Sequence, residues 1–229
     1  MLIAGFPAQA FGTNCYVVAP AAGEECVVVD PGYGVRRELD ALIDEHRLRP
    51  VAVLLTHGHL DHTFSVTPVC GARDVAAYIH PDDAELLEHP ERGLSPETVA
   101  MLGGFEWTEP DDVKPLADGE TVELAGLEIG VDHAPGHTRG SVLFRLPADD
   151  DVPEVCLAGD VLFAGSIGRT DLPGGDHATM LQTLRTRVLP LADTTVVLPG
   201  HGPQTTIGRE RRGNPFLREL LDQESGTEN

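Results

Sequence analysis

Directly behind an apolar run at residues 51–55 the chain reads Thr56-His57-Gly58-His59-Leu60-Asp61-His62, so three imidazoles and a carboxylate fall within six consecutive positions. Polar groups packed this densely at the end of a buried strand need partners, and a metal ion is the partner that satisfies several at once. The alternating His57, His59 and Asp61 can present donors to one region from a turn. The neighbouring His62 is free to face a second. A fold that uses this segment must therefore bring further donors from elsewhere in the chain to the same strand end.

Three further segments have the right form. His137 sits in Ala134-Pro135-Gly136-His137-Thr138, Asp160 follows Ala158-Gly159, and His201 lies in Leu198-Pro199-Gly200-His201-Gly202-Pro203. Each closes an apolar stretch at a Gly-rich turn. Strand-like runs are read at 13–19, 26–30, 51–55, 75–79, 121–124, 127–132, 141–146, 155–158 and 195–198, bounded by Gly, Pro or polar clusters. Helical spacing is read at 35–48, where Leu39, Leu42 and Ile43 share a face, at 82–89 behind Pro81, and at 178–189 behind Asp176 as N-cap. It is read again at 207–221, interrupted near Gly213 and Pro215. The stretch 90–114 reads as a polar excursion broken by Gly and Pro, and the last residues as frayed. Two strand-rich halves with interspersed helices and no linker predict a single α/β domain over 1–229, two sheets packed together with helices outside.

Composition removes several classes of function. Sixteen Lys and Arg oppose 37 Asp and Glu, for a net charge of −21. Such a surface repels polyanions, so no nucleic-acid partner is expected. No apolar run approaches the roughly 20 residues of a membrane span. The first eleven residues lack the basic and apolar regions of a signal peptide. Cys15, Cys26, Cys70 and Cys156 form no CxxC pair, and reduced thiols in a cytoplasmic protein are the expectation.

Taken in order from Asp30-Pro31-Gly32 through His201, these motifs resemble the metallo-β-lactamase superfamily. The resemblance implies a four-layer αβ/βα sandwich with metals at one sheet edge. It also implies a ligand set: His57, His59 and His137 for one divalent metal, Asp61, His62 and His201 for the other, and Asp160 between them. Zinc is the first choice of cation, and iron and manganese accept the same donors. Asp61, besides ligating, would orient a hydroxide formed from water between the metals. Asp30 and Thr138 are candidates for fixing ligand orientation by hydrogen bonds. His46, His80 and His89 are read as surface or packing residues, whereas His133 and His177 are candidates for orienting a ligand or touching substrate.

Residues 165–176, Gly165-Ser166-Ile167-Gly168-Arg169-Thr170-Asp171-Leu172-Pro173-Gly174-Gly175-Asp176, are similar to the glyoxalase II group, in particular its short bacterial members, as is Asn214-Pro215-Phe216-Leu217. This implies hydrolysis of a small-molecule S-2-hydroxyacyl thioester, with Arg169 and His177 as substrate contacts. Arg169 can equally pair with Asp171 and hold the loop. Full-length glyoxalase II carries a C-terminal helical domain with basic and Tyr residues for glutathione. Here residues 202–229 follow the last ligand and Lys114 is the sole lysine, although Arg169, Arg209, Arg211 and Arg212 remain available to an anionic thiol carrier. The rival readings are a mono-iron persulfide dioxygenase, a lactonase and a non-catalytic metal-binding protein. His201 favours two metals over one.

Overall fold

The computed structural model describes residues 1–102, 107–149 and 152–226. In the first half, β1 (Leu2–Pro7), β2 (Asn14–Ala19), β3 (Glu25–Val29), α1 (Arg36–His46) and β4 (Arg49–Leu54) lead into two short helices, α2 (Leu60–Thr63) and α3 (Val66–Arg73). Then come β5 (Ala76–Ile79), α4 (Pro81–Glu88), α5 (Pro96–Leu102) and β6 (Val113–Pro115). The six strands form one sheet in chain order, antiparallel through β1–β3 and parallel from β3 to β6. Parallel pairing requires crossovers, and α1 and α3 supply them.

The second half contains β7 (Thr121–Leu124), β8 (Leu127–His133), β9 (Val142–Leu146), β10 (Val155–Gly159), a small hairpin of β11 (Leu162–Phe163) and β12 (Ser166–Ile167), and α6 (His177–Thr183). It ends with β13 (Val196–Pro199), β14 (Thr205–Thr206), α7 (Ile207–Gly213) and α8 (Pro215–Gly226). Its main sheet runs β14-β13-β10-β9-β8-β7, with only β10–β13 parallel.

Alternation along the strands builds the layers. In β2 and β3, Val17 and Val28 join Leu39, Val69 and Cys70 of the outer helices, while Val18, Val27 and Val29 face the other sheet, where they meet Ile129, Phe144 and Leu157. Leu143, Cys156 and Val197 point the opposite way, to Met180, Leu184, Leu217 and Leu220. Three apolar layers between two sheets and two sets of helices make the four-layer sandwich that was expected. All four cysteines are free and buried, in keeping with their reading as reduced thiols.

Several elements differ from the sequence reading. The helix expected at 178–189 is α6 followed by a π-helical turn over Leu184–Val188, with Asp176 accepting from the Thr179 amide at 2.7 Å as its cap. The excursion at 90–114 contains a 3₁₀ turn (Pro90–Gly93), α5 and β6, and its residues 103–106 lie outside the described set. The frayed end expected after 226 also lies outside it. Strand β1, which is not among the strands read from the sequence, forms six register pairs with β2.

Candidate metal centre

The sheets deliver their functional residues from strand ends on one edge of the sandwich. β4 runs into His57–His62, β8 into the His137 turn, β10 into Asp160 and β13 into His201. The edge is sewn together across the two sheets. Asn14 N donates to Gly200 O at 2.7 Å and Val142 N donates to Thr56 O at 2.8 Å, while within the second sheet Gly200 N donates to Gly159 O at 2.7 Å. Gly200 has no alternative residue: a Cβ there would collide with Asp160 Oδ1 and stand 2.6 Å from His62 Cε1.

All seven expected residues meet. His57, His59 and His137 form one group whose candidate donor atoms all lie within 4.8 Å of each other, and Asp61, His62 and His201 form a second. Asp160 lies between them, with Oδ1 3.3 Å from His62 Nε2 and Oδ2 3.5 Å from His137 Nε2 and 3.6 Å from His201 Nε2. His59 Nδ1 stands 2.9 Å from His137 Nε2, and Asp61 Oδ2 stands 3.1 Å from His201 Nε2.

Surrounding hydrogen bonds choose the tautomers. His62 Nδ1 lies 2.9 Å from Asp30 Oδ2, His137 Nδ1 lies 2.8 Å from the Arg169 carbonyl, and His57 Nδ1 lies 3.1 Å from a Thr56 hydroxyl that itself donates to Asp30 at 2.6 Å. Each acceptor draws the proton to Nδ1 and leaves the Nε2 lone pair facing the cluster. The outcome at His57 and His62 is a buried Nε2 without a hydrogen-bond partner, beside an equally unpartnered Asp160 Oδ1, whereas His59 turns Nδ1 to His137 and leaves its Nε2 unpartnered beside Gly93. Leaving such atoms unpaired costs about 1–3 kcal/mol each, and a cation removes the penalty. The donor set is all nitrogen and oxygen, with no thiolate, which suits divalent zinc, iron or manganese. The residues present therefore fit divalent metal.

Without a cation the cluster is electrostatically divided. Burial, joined by repulsion from the other imidazoles, holds His57 well below its ordinary value and pushes His59 down to about 3. Burial also disfavours the charged form of His62, yet Asp61, Asp160 and Asp30 surround the ring and hold its pKa well above the usual range. Burial opposes charge on Asp61 and Asp160 as well, but His62 and His201 outweigh it and keep both carboxyls below their ordinary values.

Asp30 behaves as expected. Its backbone is left-handed (φ 50°), and its carboxylate accepts from Thr56 N at 2.8 Å and the Thr56 hydroxyl while facing His62. Thr138 reaches no ligand: its hydroxyl donates to Asp83 Oδ2 at 2.6 Å. Asp83, which the sequence reading passed over, is buried and also accepts from Gly58 N at 2.9 Å and Gly140 N at 2.7 Å, bracing the His57–His62 loop against the His137 loop. Nothing local in Pro81-Asp82-Asp83 signals this.

In front of the cluster lies a cavity of about 640 Å³ lined by His59, Asp61, His137, Asp160 and His201 among others. Arg169 lines it too, and its guanidinium is engaged by Asp171 through Nε (2.7 Å) and Nη2 (2.8 Å), the ion pair that was read as holding the loop. His177 is a correction. It opens α6 on the exposed surface, 3.5 Å from the Thr170 hydroxyl, and does not line the cavity. His133 stacks on His80 with centroids 4.1 Å apart, and its Nε2 donates to the Arg139 carbonyl at 2.7 Å, away from the seven residues.

Residues 8–201 match the Metallo-beta-lactamase superfamily. The chain belongs to that superfamily. It is 35% identical over 219 residues to the hydroxyacylglutathione hydrolase GloC of Haemophilus influenzae, covering 92% of this chain and 95% of the relative. Among solved structures it is similar to the BLEG-1 B3 metallo-beta-lactamase (TM-score 0.81, 35% identity, 94% of this chain and 99% of that one). It is also similar to TTHA1623 in a di-iron-bound form (TM-score 0.77, 39% identity, 93% and 100%). Among the described residues no helix is long and apolar enough to cross a membrane.

Proposed function

We propose that this superfamily member is a binuclear metallohydrolase that cleaves S-2-hydroxyacyl thioesters. The observation that carries the reading is the convergence of seven His and Asp side chains from four strand ends on one wall of the cavity, several of their donor atoms buried without a hydrogen-bond partner. His57, His59 and His137 would hold one metal, Asp61, His62 and His201 the other, and Asp160 both. Bound there, divalent metals lower the pKa of water and polarise an acyl carbonyl, the chemistry that thioester hydrolysis needs.

The chain's own residues do the rest. Asp30 and the Arg169 carbonyl keep His62 and His137 aimed inward. Asp61 is held by the Thr13 hydroxyl (3.1 Å), which turns one oxygen toward His201 and leaves the carboxylate able to accept a hydrogen bond from the attacking water. Leu60, Phe163 and Ile167 line the cavity and limit competing water around the reacting carbonyl. No serine or cysteine nucleophile is required, and the four thiols are buried elsewhere.

The likeness to GloC supports a thioester, and the likeness to BLEG-1 makes a β-lactam the second substrate worth assaying. The test is thiol release from S-lactoylglutathione by protein of measured metal content, beside nitrocefin turnover and oxygen uptake with a thiol persulfide. Two metals per chain with thiol release is the expected result. One iron with oxygen uptake and an intact thioester would overturn the proposal.

A further inference from the structure

The cavity at the metal centre is wide enough for a small-molecule ligand of any polarity, so its walls decide what enters. Phe11, Leu60, Leu94, Phe163, Ile167 and Leu172 give it an apolar lining. Beyond the metal-binding candidates, its polar side chains are Arg169 and three hydroxyl residues, and two of those, Ser95 and Thr98, bond each other at 3.1 Å. Arg169 is the one cationic side chain outside the histidines among the described lining residues, and Asp171 already takes its fork. The residues outside the described set include no Lys, Arg or His in the sequence.

Two other cations that an anionic carrier could use, Arg211 and Arg212, are absent from the cavity lining and lie beside Asp193. Arg211 also donates to the Leu189 and Leu191 carbonyls. The Tyr16 hydroxyl donates to Pro199 O. A carboxylate-bearing carrier such as glutathione would surrender hydration here and, among the described lining residues outside the histidines, meet one cation, Arg169, already paired with Asp171, under a net protein charge of −21.

Phe11 adds an independent sign. Its ring is 67% exposed although it is large and apolar, and it forms part of the cavity lining. Its backbone is left-handed (φ 67°), followed by Gly12 at the same φ, in the four-residue connection closed by Ala8 N donating to Thr13 O, and a bulky side chain is uncommon in that region of backbone space. An aromatic ring held in water on a strained backbone is explained neither by packing nor by turn chemistry. It is explained by a ligand that covers it.

Resting on the thioester reading, we propose that the substrate is a 2-hydroxyacyl thioester with an uncharged thiol carrier and an apolar acyl chain, and that Phe11 determines this specificity by gripping the chain. In the reaction the oxygen of water bonds to the acyl carbon as the C–S bond breaks. The sulfur leaves with the bonding pair and gains one proton, and the acid loses its own to solvent.

The experiment compares four substrates with metal-loaded protein: lactoyl and 2-hydroxyhexanoyl groups, each on glutathione and on N-acetylcysteamine. The 2-hydroxyhexanoyl N-acetylcysteamine thioester is expected to show kcat/KM at least tenfold above S-lactoylglutathione. F11G, which suits the left-handed turn and so folds, should reduce the hexanoyl-to-lactoyl preference about tenfold, and F11L should restore part of it. Equal rates for all four, a preference for glutathione, or an unchanged chain-length preference in F11G would overturn the inference. No thiol from any of the four would instead overturn the thioester reading itself.

Discussion

The Asp30→Asn substitution separates the shape of the metal centre from its protonation. Asp30 Oδ1 accepts from Thr56 N, while Oδ2 accepts from the Thr56 hydroxyl and faces His62 Nδ1 at 2.9 Å. An asparagine must keep its carbonyl toward Thr56 N, because that amide has no other acceptor in reach. Its NH₂ group then opposes His62 Nδ1. The hydroxyl can rotate away, but the imidazole can avoid a donor-to-donor clash only by moving its proton to Nε2, the atom now turned toward Asp160 Oδ1 at 3.3 Å. The lone pair offered to the cation is lost with almost no change in volume. Partners of this kind are worth about 10- to 100-fold in metal affinity, or about 1.4–2.7 kcal/mol. Titration of metal-free protein against a chromophoric zinc chelator reads this directly, and the weakening is expected in the site served by His62. If D30N bound both equivalents within twofold of the parent, the tautomer argument would be refuted.

Other perturbations follow from the same geometry. Gly200→Ala drives a methyl group into Asp160 and His62, so bound metal per chain by elemental analysis should fall below one, with secondary structure retained by circular dichroism. Asp83→Ala removes the acceptor of the Gly58 and Gly140 amides and the Thr138 hydroxyl, three buried bonds, and should lower stability by about 3 kcal/mol or more in urea titration. Stripping metal with a chelator should lower Tm by about 10 °C if the loaded protein stands near a thousandfold above its Kd, because about 4 kcal/mol of linkage is lost. Burial and the neighbouring His133 hold His80 below its ordinary value, against the weaker pull of Asp82, Asp83 and Asp118. The unfolded chain therefore binds this proton more readily, so the stabilising term is full above pH 6.5 and is lost as pH falls through the folded value. His80→Asn keeps a residue able to cap α4 but does not titrate, and its Tm should fall less than the parent's between pH 7.5 and 5.

The seven clustered residues were legible as candidates because each of their four segments combines an apolar run with a Gly-rich stop, and both halves of that signal are local. The layered sandwich was legible for a related reason: the near-continuous apolar runs at 15–19, 26–29 and 142–146 mark strands buried on both faces. What escaped was held by distance. Asp83 meets Gly58, Thr138 and Gly140 across 25, 55 and 57 residues, and no spacing rule announces such a bond. Helices α2 and α3 were hidden inside the metal motif and behind Pro68 and Gly71, residues that weaken helical spacing although Pro68 stands within the first turn, where its missing N–H is harmless. β1 contains Gly5 and ends in Pro7, and the exposure of an edge strand blurs its alternation. His177 was placed at the right helix start, but on a surface the cavity does not reach.

Asp61 and His201 face each other across 140 residues of chain. The cluster of Asp61, His62 and His201 thus cannot form until both halves of the polypeptide have docked and the hairpin containing Thr13 has closed against the loop of His201. A cation held by that cluster would be captured late in maturation, and a chain misassembled at the seam would stay metal-poor.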